Sequence, residues 1–195
     1  MQDESSPLGL PRQHDPGGKV RLRLAADVVS DAAFSACDRY RYWLERRWDR
    51  QPIGSGNVAV QIGMNPSTAD IDCDDPTVAG CCERARRWGY GGLVMLNAFA
   101  YRATRKEDLL AVADPVGPLN DATFRRFVPL AGVVVVGWGQ PPKPLRTRGL
   151  AVARLLAEAG VQAMCFAVNA DGSPKHPLYV RRDAPLQPWS PLGSA

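Results

Sequence analysis

Apolar runs of two kinds alternate with polar, proline- and glycine-bearing stretches along this chain. Residues 33–48, AFSACDRYRYWLERRW, set Tyr40, Tyr42 and Leu44 against Arg39, Arg41 and Trp43. A period of two with aromatic content predicts a strand at an edge or in a hairpin. QPIGSGN (51–57) is turn chemistry. VAVQIGM (58–64) is a nearly continuous apolar run, suited to a strand covered on both faces. Three more runs of this second kind follow: LVMLN (93–97), VVVVG (133–137) and QAMCFAV (162–168).

The intervening stretches carry helix and loop signals. NPSTADIDCDD (65–75) reads as loop, and a helix starts behind it with Asp75 as N-cap and Pro76 at the first helical position. That helix runs through CCERARRW and stops at Gly89 or Gly91-Gly92. A polar loop and KEDLLAVA (106–113) precede a helix over about 119–128. WGQPPKP carries three prolines and cannot be helical. LRTRGLAVARLLAEAG (145–160) reads as an amphipathic helix with a weak point at Gly149, and NADGSPKHPLYV (169–180) as loop.

Strand–helix alternation of this kind predicts an α/β fold with right-handed crossovers. The expected architecture is a three-layer α/β/α domain with a mostly parallel central sheet of about four core strands, plus an N-terminal edge strand or hairpin. The domain is expected over residues 21–182, with a flexible tail at 1–20 and a second tail at 183–195.

Composition narrows the class. The 195 residues are 45% hydrophobic, enough for one domain and its core. No apolar run approaches the roughly 18–20 residues of a bilayer span. The N-terminus starts acidic without an apolar stretch, so no secretory signal is read and a cytoplasmic location is expected. The net charge of +4 allows nucleic acid as a partner without demanding it. Basic residues cluster at Arg84, Arg86 and Arg87, at Arg102, Arg105 and Lys106, at Lys143, Arg146 and Arg148, and at Arg181 and Arg182. Such clusters equally describe a solvated surface.

The five cysteines form no C-x-x-C pair and read as reduced thiols. With His14 in the tail, His176 is the one histidine left as a ligand candidate, so no metal and no cofactor are expected. Asp70, Asp72 and Asp74 imitate the opening of a calcium loop, but the sixth position lacks Gly and the twelfth is Cys81. There is no phosphate-binding GxxxxGK[ST], Gly54-Ser-Gly56 precedes its strand, and no G-x-S-x-G elbow occurs.

In parallel sheets ligands bind beyond the carboxyl ends of the strands. Behind the first buried strand come Asn65, Pro66, Ser67 and Thr68, and the second ends on Asn97. Behind the third come Trp138, Gly139 and Gln140, and behind the fourth Asn169, Asp171 and His176. Any one of these is an ordinary turn residue. Four successive strands that end this way predict one shared polar site.

IGMNPSTAD, DDPTVAGC, RRWGYGGLVMLNAFAYRAT, VVVVGWG and KHPLYV together resemble an uncharacterised bacterial family with an NPSTAD signature, over about residues 33–180. The same segments are more distantly similar to the uracil-DNA glycosylase superfamily. Gly63-Met-Asn65-Pro66 resembles its water-positioning motif and Leu96-Asn97-Ala98 its base-reading strand end. Val136-Gly137-Trp138-Gly139 resembles its third core strand, and His176-Pro177 its His-Pro motif.

This second resemblance implies an N-glycosidic hydrolase acting on a damaged or modified base in nucleic acid. Asn65 and His176 would be catalytic. Asn97 would read the base edge, with Phe99, Tyr101 or Trp138 stacking on it and Pro66, Ser67, Thr68 and Gly139 shaping the pocket. Arg102, Arg105, Lys143 and Arg181 would contact phosphates. The chain departs from the pattern at Asn65, an amide that cannot act as a base, at Ser67 in place of Gly, and at Leu178-Tyr179 behind His-Pro. Asp70, Asp72 or Asp75 is left as the source of a carboxylate. Hydrolysis of free nucleosides or nucleotides, and non-catalytic binding of nucleic acid or nucleotide, are the alternatives.

Overall fold

A computed structural model describes residues 20–54 and 56–191. Its centre is a seven-stranded sheet in the order β2-β3-β6-β4-β7-β8-β9. The strands are β2 (Val29–Phe34), β3 (Arg41–Arg47), β4 (Val58–Gly63), β6 (Gly92–Asn97), β7 (Val133–Val136), β8 (Met164–Cys165) and β9 (Gln187–Pro188). A small antiparallel pair, β1 (Leu22–Arg23) and β5 (Cys73–Asp74), lies apart from it. Three α-helices join the described strands: α1 (Pro76–Arg87), α2 (Asn120–Phe127) and α3 (Arg148–Glu158).

The sheet is mixed, which corrects the expected three-layer, mostly parallel architecture. The four apolar runs do lie side by side and parallel, as β6, β4, β7 and β8. They are flanked, however, by antiparallel pairings of β2 with β3, β3 with β6 and β8 with β9. The fourth run contributes only the two residues Met164–Cys165 to the ladder.

The N-terminal hairpin has a physical reason for its place. β3 was expected at an edge or in a hairpin; it forms a hairpin with β2 but lies inside the sheet, with Arg41, Glu45 and Arg46 buried. Arg46 is neutralised by Asp74 at 2.9 Å and donates to the carbonyls of Asp70 and Cys73. Its charge is buried because the loop after β4 folds back over it, a contact no local pattern announces.

The C-terminal stretch also departs from expectation. Residues 183–191 are not a tail: β9 pairs with β8, and Trp189, 5% exposed, meets Trp138 edge-to-face at 5.0 Å. Residues 192–195 lie outside the described residues, as does the expected N-terminal tail apart from Val20.

The core falls on two faces of the sheet. One face gathers Val60, Ile62, Val94 and Leu96 of the sheet with Phe124 and Phe127 of α2 and Val152, Leu155 and Leu156 of α3. The other gathers Ala59, Leu93 and Met95 with Val78, Cys81 and Ala85 of α1. The chain therefore leaves β4 toward one face, through α1, and leaves β7 toward the other, through α3. Their carboxyl ends diverge, and that divergence opens a crevice where ligands bind in sheets of this kind. No described helix is long and apolar enough to cross a membrane.

Candidate functional site

A cleft of about 700 Å³ occupies that crevice. β4 delivers Gly63, Met64 and Asn65 to it, β6 delivers Asn97, and the segment behind β7 delivers Trp138, Gly139 and Gln140. The loop behind β8 adds Asn169, Lys175 and His176. The amino end of α1 closes one side with Asp75, Pro76 and Thr77.

Asn97 is the buried polar end of β6. Its carbonyl accepts from Nδ2 of the fully buried Asn120 at 3.0 Å, and Nδ2 also reaches the Ala98 carbonyl at 3.1 Å. Its side-chain oxygen accepts from Nη2 of Arg41 at 3.3 Å. A guanidinium offers only donors, so the Asn97 oxygen is the end that faces it and the NH₂ group is left for the cleft. Gly63 makes the room: a Cβ there would stand 2.9 Å from Nδ2 of Asn97.

Asn65 ties two loops together. Its Nδ2 donates to the carbonyls of Ala103, at 2.6 Å, and Pro66, at 3.1 Å. The side-chain oxygen is left as an acceptor, which suits a water better than it suits base chemistry.

His176 is half-buried and precedes the 3₁₀ turn Pro177–Tyr179. Its Nδ1 accepts from the Leu178 N–H at 3.3 Å, so the proton of the neutral ring sits on Nε2. Burial holds its pKa below the ordinary histidine value, and the charge of Asp75 opposes that shift. The neutral ring, a donor through Nε2, is the form favoured near neutral pH.

Asp75 is the carboxylate that sequence left unplaced among three. Its Oδ1 accepts from the N–H groups of Thr77 and Val78, each at 2.9 Å, so it caps α1 while standing in the cleft. Asp70 instead accepts from the N–H groups of Asp72 and Cys73 and pairs with Arg21, and Asp72 lies away from the cleft.

Of the residues expected at the site, Asn65, Ser67, Thr68 and Asn97 line the cleft, as do Arg105, Trp138, Gly139 and His176. Trp138 was expected to stack on a base, but its ring is 2% exposed and packs on Trp189 and against Gly149. Phe99 is equally buried in the core, Pro66 is buried, and Tyr101 sits edge-on to Tyr40 outside the cleft. Arg102, expected at a phosphate, is buried, pairs with Asp38 at 2.7 Å and lies over the Phe34 ring. Lys143 and Arg181 do not line the cleft, and Arg181 pairs with Asp183 at its surface position.

Arg41, Lys175 and Tyr179 are among the cleft residues not foreseen as site residues. Arg41 was read only as one of the alternating positions of a strand at an edge or in a hairpin. Lys175 carries no signal beyond its neighbour His176. Tyr179, 82% exposed, stands at the mouth with its ring 5.7 Å from that of His176, and it is the free aromatic face of the cleft.

No group of three or more metal-ligating side chains occurs among the described residues. The fold and the cleft together define a mixed α/β protein with a polar cleft at the diverging ends of its parallel strands. The chain belongs to the family described as Protein of unknown function (DUF1643), whose family model matches residues 41–178. No curated protein and no solved structure matches it. Nothing in these comparisons supports a relationship to uracil-DNA glycosylases, which was read from the sequence motifs alone.

Proposed function

We propose that this chain is a base-recognising N-glycosidic hydrolase, acting on a modified base in nucleic acid. One observation carries the reading: Asn97, His176, Asn65 and Asp75 converge on a single cleft from four separate segments. Each has an atom suited to one demand of the reaction. Glycosidic cleavage leaves the bonding electron pair on the departing base and positive charge on the sugar. The Asn97 NH₂ donates to an acceptor on the base edge. The Nε2–H of His176 donates to a base oxygen as it gains negative charge. The Asp75 carboxylate faces the positive sugar and takes the proton lost by the attacking water, which the Asn65 oxygen orients. Tyr179 offers a stacking face to the base. Arg105, Lys106 and Lys175 line the cleft and supply positive charge for phosphates.

A free nucleoside or nucleotide is the second substrate reading. It is favoured by the cleft volume of about 700 Å³, within the range of small-molecule sites.

The test is base release by the purified protein from single- and double-stranded oligonucleotides and free nucleosides. The panel carries uracil, hypoxanthine, xanthine and 5-substituted pyrimidines, and an Asn65→Ala, His176→Ala double variant controls for contaminating host enzymes. Release by the wild type and not by the variant is expected. No release from folded protein anywhere in the panel rejects hydrolysis and leaves a binding function for the cleft.

A further inference from the structure

Buried arginines are frequent in this fold, and they differ in what meets their charge. Arg46 meets Asp74 at 2.9 Å, Arg102 meets Asp38 at 2.7 Å and Arg148 meets Asp121 at 2.6 Å. Arg84 donates to the carbonyls of Pro177, Val180 and Arg181 and lies over the Phe166 ring. Arg84 and Arg41 both lack a carboxylate partner among the described residues, and of the two Arg41 is the more deeply buried and the one that lines the cleft. It is 1% exposed, and no described carboxylate lies within ion-pair distance of it. Nη1 donates to the Ala69 carbonyl at 2.7 Å and Nη2 to the Asn97 oxygen at 3.3 Å, while Nε, like that of Arg84, is buried without an acceptor.

A lone charge withdrawn from water is strongly unfavourable unless an opposite charge meets it. Burial draws the Arg41 pKa down to about 10, so the group is still a cation at neutral pH. Asp75 is the carboxylate that acts on it most strongly, yet it stands beyond ion-pair range and is engaged as the α1 cap. Arg41 is also a wall of the cleft, beside Asn97 and Gly63.

We propose that Arg41 is a receptor for an oxyanion on the ligand, so that the group reaching the inner end of the cleft carries negative charge. The inference rests on the reading of this cleft as the ligand site and narrows the substrate class within it. Arg41 and the Asn97 NH₂ together offer donors and no acceptor, which matches a group that only accepts. Uracil presents a donor as well as acceptors on its edge. A base bearing a carboxylate, or one that ionises near neutral pH, satisfies the pair better. A phosphate entering first would present the same oxyanion. Arg105, Lys106 and Lys175 add the same sign at the cleft, while Glu107 and Asp75 carry the opposite one.

The experiment is calorimetric titration of the full chain with charge-differing pairs: 5-carboxyuracil against uracil, and xanthine above its ionisation pH against hypoxanthine. Inorganic phosphate is titrated separately. The charged member of each pair is expected to bind about tenfold or more tightly, and Arg41→Met, which keeps the apolar stem and removes the charge, should abolish the difference. Phosphate binding that Arg41→Met abolishes, with no base bound, keeps the receptor and assigns the oxyanion to a phosphate. Should Arg41→Met fail to fold, the pairwise preference of the wild type decides alone. Equal binding of charged and neutral bases, binding that Arg41→Met leaves unchanged, or no binding of any anion overturns the proposal. The glycosidic reading is judged separately, on base release.

Discussion

Arg41 donates to the side-chain oxygen of Asn97 across 3.3 Å, and that bond fixes which end of the Asn97 amide is left for a ligand. Asn120 fixes the backbone at the same point. Asn97 is thereby a pre-oriented donor, and pre-orientation is what a recognition group needs to discriminate among ligands.

Asn97→Asp tests that orientation. The new carboxylate would sit against Arg41 and form the ion pair the fold lacks, while the donor to the cleft disappears. The variant is expected to melt no lower than the wild type and to bind or turn over ligand roughly 10- to 100-fold less well, the worth of one buried hydrogen bond. Thermal denaturation run beside a binding titration separates the two effects. Unchanged ligand affinity would remove Asn97 from recognition.

Asp75 holds two roles that two substitutions pull apart. Asn caps a helix about as well as Asp, so Asp75→Asn should keep the bonds to Thr77 and Val78 and lose only charge. Asp75→Ala loses the cap as well and is expected to cost about 1 kcal/mol of stability. If the carboxylate serves the reaction, both variants lose activity while only the alanine loses stability. Activity retained in Asp75→Asn reduces the residue to a cap.

Much of this arrangement is written locally. Continuous apolar runs mark β4, β6 and β7, and Asp75-Pro76 marks the start of α1, because strand burial and helix capping depend on neighbours a few residues away. Asn65, Asn97 and His176 were legible as polar groups at strand ends. Arg41 was not. Its burial depends on Ala69 and Asn97, 28 and 56 residues distant, and alternating charge in β3 reads as solvent exposure until those partners are known. A hairpin was allowed for in this region, but its antiparallel pairing onward to β6, and the return of β9 to β8, were hidden for the same reason. Trp138 and Phe99 show the converse. An aromatic side chain behind a strand can turn to the cleft or to the core, and for Trp138 the choice depends on Trp189 at the far end of the chain.

The protonation of His176 gives a pH signature. Its folded-state pKa lies below the ordinary value, chiefly through burial. With a depressed folded pKa the unfolded chain takes up the proton first. The stability tied to the neutral ring is therefore fully present above the unfolded pKa, about 6.5, and declines as pH falls below it toward the folded value. His176→Asn, whose side chain can still accept from the Leu178 N–H, should lose this component. Denaturant midpoints at pH 7.5 and 5.5 for both proteins check it: the wild type should lose more stability on acidification than the variant. Equal losses would mean that the ring titrates as it does in the unfolded chain.

The C-terminal segment bears on the cleft through one contact. Trp189 donates from its backbone N–H to the Ala163 carbonyl at 2.8 Å and from Nε1 to the Gly172 carbonyl at 3.2 Å, and its ring supports that of Trp138. Trp138 in turn sits between this core and the cleft wall at Gly139. Trp189→Ala opens a cavity beneath Trp138 and is expected to cost about 3–5 kcal/mol, the range for a buried Trp truncated to Ala. Trp189→Phe refills most of the space and should recover a large part of that loss. Urea denaturation followed by tryptophan fluorescence measures both. A loss below about 1 kcal/mol for Trp189→Ala would make the segment peripheral, whereas the expected loss makes residues 187–189 part of the folded core that holds the wall of the site.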